Sequence, residues 1–142
     1  MIVDDFKYKL YVAESQLDGR GLYTNNYIKS KSILAIPEKC LYTNNYNSIL
    51  LKQTSARCCL DYFIYGNNIS NEDFLNHSDD PNCIYHCGIL FAIKDINPNE
   101  ELTINYNLII PKSEVNEYTT PLSAEESFKQ SLKIMCKLFN RE

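Results

Sequence analysis

The 142-residue sequence has no tryptophan, only four glycines, and no cluster of lysine or arginine. Its formal net charge is −4, and because a nucleic-acid surface needs clustered positive charge, direct nucleic-acid binding is not expected. No segment approaches the length of a membrane span, so no membrane contact is expected. The N-terminus, MIVDDFKYK, carries two acids and no apolar core segment, so no signal peptide is predicted. We therefore expect an intracellular protein, in cytoplasm or nucleus, or one exported without an N-terminal signal.

The six cysteines leave two interpretations open. An intracellular protein keeps its thiols reduced, and buried free cysteines pack as small hydrophobes. Alternatively, Cys83-x-x-His86-Cys87 together with Cys58-Cys59 offers enough ligands for a zinc interaction site, although the spacing is not the usual CxxC pair. We expect free thiols and no metal site. The cysteines are Cys40, Cys58, Cys59, Cys83, Cys87 and Cys136.

Short runs of strand-forming residues separated by turns fill most of the chain. The segment at 101–106, ELTINY, alternates apolar and polar side chains as a half-buried strand does. Residues 44–70 are the least clear segment and could be a helix that runs into a strand, because periodicity does not resolve short apolar mixtures of this kind. The remaining predicted strands are YKLYVA (8–13), ILAIP (33–37), CLYT (40–43) and CIYHCGILFAIKDI (83–96), with Gly88 as a turn or bulge. The pattern predicts a mostly β domain over residues 1–110.

The clearest predicted helix lies at the C-terminus. Residues 111–121 are a polar linker between two prolines, and Ser123-Ala124-Glu125-Glu126 matches a capping box. An apolar stripe then recurs at helical spacing. We expect this stripe to contact either the rest of the domain or a second copy of the chain in a homodimer, and residues 111–142 to form a linker and helix. The stripe residues are Phe128, Leu132, Met135 and Phe139.

Three motifs occur in order: SxLxGxGLY at 15–23, FLNHSxxPN at 74–82 and AIKDIxPxEELTxxY at 92–106. Together they closely resemble the SET domain, the fold of lysine methyltransferases, in the compact stand-alone form found in bacteria and viruses. The resemblance runs from about Tyr8 to Tyr106. It implies short curled β-sheets and a pseudoknot-like threading of one segment through a loop, which is unusual among folds.

The resemblance also implies a binding site for the methyl donor S-adenosylmethionine, whose product is S-adenosylhomocysteine. Asp18, Gly19 and Arg20 would touch the methionine portion, and the backbone of Asn76 and His77 would lie against the adenine. Gly19 and Gly21 allow a ligand to approach the backbone and allow φ > 0. From the residues alone, a simple turn explains the glycines, and a histidine that satisfies a turn explains His77.

Two tyrosines are implied to act on the substrate. Tyr106 would point into the junction between donor and lysine, where a phenol orients a neutral amine for in-line displacement. Tyr85, in NCIY at 82–85, resembles a residue of one SET branch that lines the lysine channel and limits the product toward monomethyl-lysine. Cross-strand packing of Tyr85 on Tyr106 is the alternative.

These features predict an S-adenosylmethionine-dependent protein-lysine N-methyltransferase that acts in histone modification and chromatin regulation. Its substrate would be a histone or another lysine-rich protein, with which an acidic protein agrees. The alternative is a catalytically inactive SET-like protein-binding module. The chain departs from the family at two turns that often contain glycine. Asn99 enters the left-handed region readily, whereas Lys31 predicts a reshaped turn.

Overall fold

A computed structural model of the chain describes residues 9–35, 41–43, 55–59, 62–65, 74–109 and 122–140. These residues form short strands, a 3-10 helix at Tyr106–Leu108 and one α-helix, α1, at Ala124–Phe139. The predicted mostly β architecture is therefore confirmed. The strands are β1 (Leu10–Glu14), β2 (Arg20–Thr24), β3 (Ile33–Ala35), β4 (Leu41–Thr43), β5 (Ser55–Cys59), β6 (Tyr62–Tyr65), β7 (Asn76–His77), β8 (Cys83–His86), β9 (Ile89–Ala92) and β10 (Thr103–Ile104).

The chain forms two compact units. The first contains Met1–Glu38, Ser70–Tyr85 and Ile89–Asn105, and the second contains Lys39–Ile69, His86–Gly88 and Tyr106–Glu142. No helix in the described part of the chain is both long and apolar enough to cross a bilayer.

The first unit is built from three small sheets. β1 and β2 form an antiparallel hairpin, and β3, β9 and β8 form a three-stranded sheet in that order. β7 and β10 pair in parallel, with Asn76 opposite Thr103 and His77 opposite Ile104. Branched apolar side chains of the first unit, from the strands and from the segments that connect them, are removed from water, which supplies most of the stabilisation of such a core. The fully buried ones are Leu22, Ile28, Leu90, Ile96 and Leu102.

Backbone pairs connect the three sequence motifs. Leu102 donates its N–H to the carbonyl of Leu22 at 2.8 Å, which joins the third motif to the first. Ser78 donates to the carbonyl of Ile104 at 3.0 Å, which extends the parallel pairing of β7 with β10 and joins the second motif to the third. The motifs that lie far apart in sequence are thus neighbours in the first unit.

The segment at 101–106 differs from its prediction. Leu102, Thr103 and Ile104 are all buried, so the expected alternation of inward and outward side chains is wrong. Both faces of this short segment are covered, and the strand itself contains only Thr103 and Ile104. Tyr106 begins the 3-10 helix instead of closing a strand.

In the second unit, β4, β6 and β5 form an antiparallel sheet in that order. Residues 55–59 and 62–65 are therefore strands, and the part of 44–70 in which a helix was predicted to precede a strand is not fully described. The rest of that segment, apart from β6, lies outside the described residues, as does the predicted linker at 111–121.

The capped C-terminal helix is confirmed, but its buried face is not the predicted one. The Ser123 hydroxyl accepts from the Glu126 N–H at 3.2 Å. Leu132 and Phe139 are 43% and 48% exposed, so these two stripe residues are not buried in the single chain, and contact of the stripe with a second copy stays a prediction. Ser127, only 1% exposed, is buried instead.

Small serines on the buried face let the helix approach its neighbours closely. The Ser127 hydroxyl lies 3.4 Å from the carbonyl of Asn107 in the 3-10 helix. Ser131 is buried as well, and its hydroxyl bonds the His86 ring. A periodic count of bulky apolar residues does not detect a face that is built on serine.

Two turns adopt the left-handed conformation that glycine usually supplies. Asn99 has φ 64° and Lys31 has φ 75°. The prediction for Asn99 is confirmed, whereas the turn at Lys31 is not reshaped. The Lys31 N–H bonds the carbonyl of Ala92 at 2.7 Å, which helps hold the lysine in this disfavoured region.

Candidate functional site

The loop between β1 and β2 is wound around Ser15. The N–H of Ser15 donates to the carbonyl of Gly19 at 2.9 Å. The Ser15 hydroxyl accepts from the N–H groups of Leu17 at 2.9 Å and Asp18 at 3.3 Å. Gly19 has φ 49°, a conformation that glycine enters without the usual steric cost. The sequence S-x-x-x-G therefore closes this loop locally. We call residues 15–21 the β1–β2 loop.

The side chain of Asn76 ties the β1–β2 loop to the second motif. Its amide nitrogen lies 3.1 Å from the Ser15 hydroxyl and 3.0 Å from the carbonyls of both Asp18 and Arg20. The same nitrogen lies 2.8 Å from Oε2 of Glu101. Two amide hydrogens are shared among four acceptors, and the residue is only 8% exposed. The structure thus brings Asn76 together with the predicted donor-site residues 18–20.

Glu101 occupies the inner side of the same loop. Its Oε1 accepts from the Ser15 hydroxyl at 2.6 Å. The Tyr23 hydroxyl shares its one hydrogen between Oε1 of Glu101 at 3.2 Å and the Glu14 carbonyl at 2.8 Å. A Cβ atom built on Gly21 would lie 2.6 Å from Oε2 of Glu101, which is closer than real contacts allow. Gly21 therefore makes room for this carboxylate. The sequence interpretation missed Ser15, Tyr23 and Glu101, although all three stand within the quoted motifs.

Tyr23 serves this site as a hydrogen-bond donor. Partial burial, followed by the charge of Glu101, raises the pKa of the Tyr23 phenol, so the hydroxyl stays protonated at neutral pH. The ring stacks on Tyr11 with centroids 5.7 Å apart, and the Tyr11 hydroxyl donates to Oδ1 of Asn99 at 2.9 Å. The left-handed turn at Asn99 is thereby connected to the strand that leads into the β1–β2 loop.

The outer side of the β1–β2 loop fits the amino-acid end of a methyl donor. A Cβ built on Gly19 would meet no atom within 4 Å, so the backbone there is open to an approaching ligand. The Arg20 guanidinium lies 5.7 Å from the Phe74 ring centroid, a cation–π contact that orients the charge while Arg20 remains exposed. An open peptide beside a held cation suits a ligand with a carboxylate.

His77 has a local partner in the turn that follows it. Its Nε2 lies 3.0 Å from Oδ1 of the exposed Asp79, and the Ser78 hydroxyl accepts from the Asp80 N–H at 3.1 Å. The His77 side chain therefore stabilises the turn, in agreement with the interpretation from residues alone. Its backbone lies in β7 beside Ile104. Contact of this backbone with an adenine stays a prediction.

Asn82 holds the backbone that presents Glu101. Its amide nitrogen donates to the carbonyl of Glu101 at 2.8 Å, and its Oδ1 accepts from the Thr103 N–H at 2.9 Å. The residue is buried. The buried Asn82 amide thus connects the backbones of Glu101 and Thr103.

The two predicted tyrosines are placed on different units. Tyr85 is half-buried on β8 of the first unit, together with the β1–β2 loop and Asn76. Tyr106 starts the 3-10 helix of the second unit. The first unit alone therefore gathers the predicted donor-site residues and Tyr85. The catalytic role of Tyr106 and the channel role of Tyr85 stay predictions.

The described cysteines are free thiols. Cys83 is 1% exposed, and burial raises the pKa of its thiol, which disfavours the thiolate that zinc requires. In the part of the chain that the structure describes, no three His, Cys, Asp or Glu side chains are grouped to hold a metal ion. The side chains of Cys58 and Cys59 lie outside that part.

His86, the histidine of the proposed zinc motif, has protein partners instead. Its Nδ1 lies 2.5 Å from the Ser131 hydroxyl, and its ring stacks on Phe128 with centroids 6.4 Å apart. Burial lowers the pKa of His86, so the neutral ring is favoured in this contact with α1.

Comparison with known families and sequences gives two findings. The family model of the SET domain matches residues 19–107. A candidate histone-lysine N-methyltransferase of Plasmodium falciparum (isolate 3D7) is 29% identical over 119 residues, which cover 69% of this chain and 2% of that protein. The chain therefore spans only a small fraction of the length of this curated relative.

Solved structures with the same fold include two proteins named as methyltransferases, together with KRYPTONITE. A candidate histone methyltransferase of Plasmodium falciparum has a TM-score of 0.54 at 23% identity, covering 71% of this chain and 95% of that one. The methyltransferase domain of human histone-lysine N-methyltransferase SETMAR has a TM-score of 0.55 at 21% identity, covering 75% and 48%. KRYPTONITE, solved with mCHH DNA, an H3(1–15) peptide and S-adenosylhomocysteine, has a TM-score of 0.55 at 20% identity, covering 78% and 25%. These likenesses confirm the predicted fold.

Proposed function

Because the chain belongs to the SET domain family, we propose that it is a protein-lysine N-methyltransferase that uses S-adenosylmethionine. The observation that carries the proposal is the tie between Asn76 and the carbonyls of Asp18 and Arg20. These hydrogen bonds fix the conformation of the β1–β2 loop, in which the backbone at Gly19 is accessible to a ligand. The comparisons support the proposal, since KRYPTONITE was solved with S-adenosylhomocysteine, the demethylated donor.

Each residue of the site has a proposed task. The donor supplies a methyl group on a sulfonium, and the lysine must be a neutral amine in order to attack it. The open backbone at Gly19 and the Arg20 cation would hold the donor's amino-acid end. Tyr106 would orient the amine through its phenol, because alignment and fixed dipoles contribute more to such a displacement than a strong base.

The proposed substrate is a histone or another lysine-rich protein. The related proteins are named for histone-lysine methylation, and the net charge of −4 favours a basic partner. We propose monomethyl-lysine as the product, since a phenol from Tyr85 in the lysine channel would leave less room for added methyl groups.

Incubation with isotope-labelled S-adenosylmethionine and a histone panel tests this function. We expect transfer to lysine by the wild type and about 100-fold less by Tyr106→Phe, a typical loss when one positioned donor is removed. Mass spectrometry of the same reactions should show monomethyl-lysine, and higher methylation with Tyr85→Phe. Equal labelling by wild type and Tyr106→Phe would contradict the role of Tyr106.

The binding-module alternative gives a different result in the same material. An inactive module would transfer no label to any histone. Melting with S-adenosylhomocysteine then shows whether the donor site exists, because only a ligand of the folded state raises the melting temperature. If the wild type shows no labelling and no stabilisation, the proposed function is overturned.

A further inference from the structure

The Glu101 carboxylate lies where three hydrogen-bond donors converge. Its Oε1 accepts from the hydroxyls of Ser15 and Tyr23, and its Oε2 lies 2.8 Å from the Asn76 amide nitrogen. Ser15 and Asn76 both hold the β1–β2 loop directly. A single side chain from the third motif is therefore connected to the two groups that fix the conformation of the first.

The surroundings of Asn76 leave its amide only one orientation. The nitrogen faces the carbonyls of Asp18 and Arg20 as well as Glu101. If the amide rotated by half a turn, its oxygen would face these oxygens and repel them. Whatever stands at position 101 must therefore accept a hydrogen bond from Asn76 and, at its other oxygen, from Ser15. Tyr23 imposes a weaker requirement, because its single hydroxyl hydrogen also faces the Glu14 carbonyl at 2.8 Å.

A carboxylate meets this requirement, and a glutamine does not. Both oxygens of a carboxylate accept, whereas a glutamine of the same shape accepts at one end and donates at the other. In Glu101→Gln, the amide NH₂ would face either the Asn76 amide or the two hydroxyls. At least one donor would lose its acceptor, and a part-buried donor without an acceptor is costly.

Gly21 provides the space for this carboxylate. A Cβ there would lie 2.6 Å from Oε2 and 2.7 Å from Cδ of Glu101. Gly21 is not among the glycines with positive φ, so its backbone conformation does not demand glycine. Gly21 is thus required by the position of the Glu101 side chain. The sequence interpretation had instead explained this glycine by the approach of the donor.

We propose that Glu101 is a positioning residue for the methyl donor. It does not touch the donor; it acts through Ser15 and Asn76, which fix the backbone of residues 18–20, and Gly21 admits it to this position. The inference rests on the proposed function, because it names the residue that shapes the same donor site.

Donor binding by Glu101→Gln is the first test, with Glu100→Gln as the matched control. Glu100 is the adjacent, exposed acid, and its Oε2 accepts from the Asn97 N–H at 2.9 Å, a bond that glutamine's oxygen reproduces. By calorimetry well below the melting temperature, we expect affinity for S-adenosylhomocysteine to fall at least about tenfold in Glu101→Gln. The control should stay within about twofold, a change too small to signify a lost hydrogen bond.

A split in the kinetic constants separates positioning from a general loss of structure. We expect Glu101→Gln to raise KM for the donor and leave KM for the lysine peptide at saturating donor unchanged. If the wild type binds S-adenosylhomocysteine and Glu101→Gln binds it equally well, the role of Glu101 is overturned while the proposed function stands. If the wild type binds none, the proposed function itself is overturned.

A double-substitution cycle tests the Gly21–Glu101 contact without any ligand. We expect Gly21→Ala to lower the melting temperature strongly in the wild-type background and much less in a Glu101→Ala background, where the carboxylate is absent. Such coupling is the expected signature of two groups in direct contact. An equal effect of Gly21→Ala in both backgrounds would overturn the assignment of Gly21 to Glu101.

Discussion

Buried amides show how single residues determine the conformation of this site. Asn76 and Asn82 are both buried, and both direct their amide nitrogens at carbonyl or carboxylate oxygens of other segments. A polar group that is buried without partners is costly, so these bonds exclude alternative arrangements of the loops. Position 76 is therefore polar, because the Asn76 side chain holds the β1–β2 loop.

Lys31 stores backbone strain that a substitution can release. A left-handed residue with a Cβ costs about 1–2 kcal/mol, whereas glycine avoids this cost at a smaller loss of chain entropy. At φ 75°, we expect Lys31→Gly to be more stable than Lys31→Ala by about 1 kcal/mol in urea unfolding. Both variants remove the same lysine side chain, so the charge and stem cancel. Alanine equal to or better than glycine would contradict the strain.

Among the elements, α1 shows what sequence patterns can and cannot predict. Its start was predictable, because a capping box is a local hydrogen-bond pattern, and Ser123 forms it. Its buried face was not, because burial depends on the partner surface and not on the apolar content of the helix. Ser127 and Ser131 are buried, and serine carries no hydrophobic signal.

Contact between α1 and His86 should depend on pH. Burial lowers the pKa of His86 in the folded protein, whereas the same histidine in the unfolded chain has a pKa of about 6.5. The unfolded state therefore binds the proton first, so this contribution to stability is complete above about pH 6.5 and is lost as pH falls toward the folded pKa. Ser131 and Phe128 face the ring from α1.

Urea midpoints between pH 7.5 and pH 5, taken for the wild type and His86→Gln, measure this effect. Glutamine can still bond the Ser131 hydroxyl but does not titrate. We expect the wild type to lose more stability than the variant over this range. Parallel loss in both proteins would assign the pH dependence to other groups.

At the scale of the whole molecule, the family and the order of motifs were predictable, whereas the contacts between motifs were not. The motifs at 74–82 and 92–106 lie within the matched SET region at 19–107, and the motif at 15–23 overlaps its start. Ser15 and Glu101, however, are 86 positions apart, and Asn76 is 61 positions from Ser15. Periodicity reports only on near neighbours, so it contains no information about these pairs.

Net charge predicts a salt dependence for the proposed substrate. The chain carries 18 acidic and 14 basic side chains, so a lysine-rich peptide is attracted over distances that ions screen. We expect KM for such a peptide to rise several-fold between about 50 and 300 mM salt, where the Debye length shortens markedly. KM for the donor, which has little net charge to steer, serves as the control. A peptide KM that is insensitive to salt would contradict electrostatic attraction.

The parallel pairing of β7 with β10 has a consequence for the order in which the chain folds. Parallel strands cannot be joined by a tight turn. The chain between residues 77 and 103 must therefore fold back on itself so that β10 can reach β7. The β8–β9 hairpin can do this early, since Cys87 and Gly88 have φ 50° and 84°, as a tight two-residue turn requires, and hairpins form within microseconds. On the ribosome, Ser15 emerges 86 residues before Glu101. Residue 101 must therefore be synthesised before the first motif can acquire its final shape.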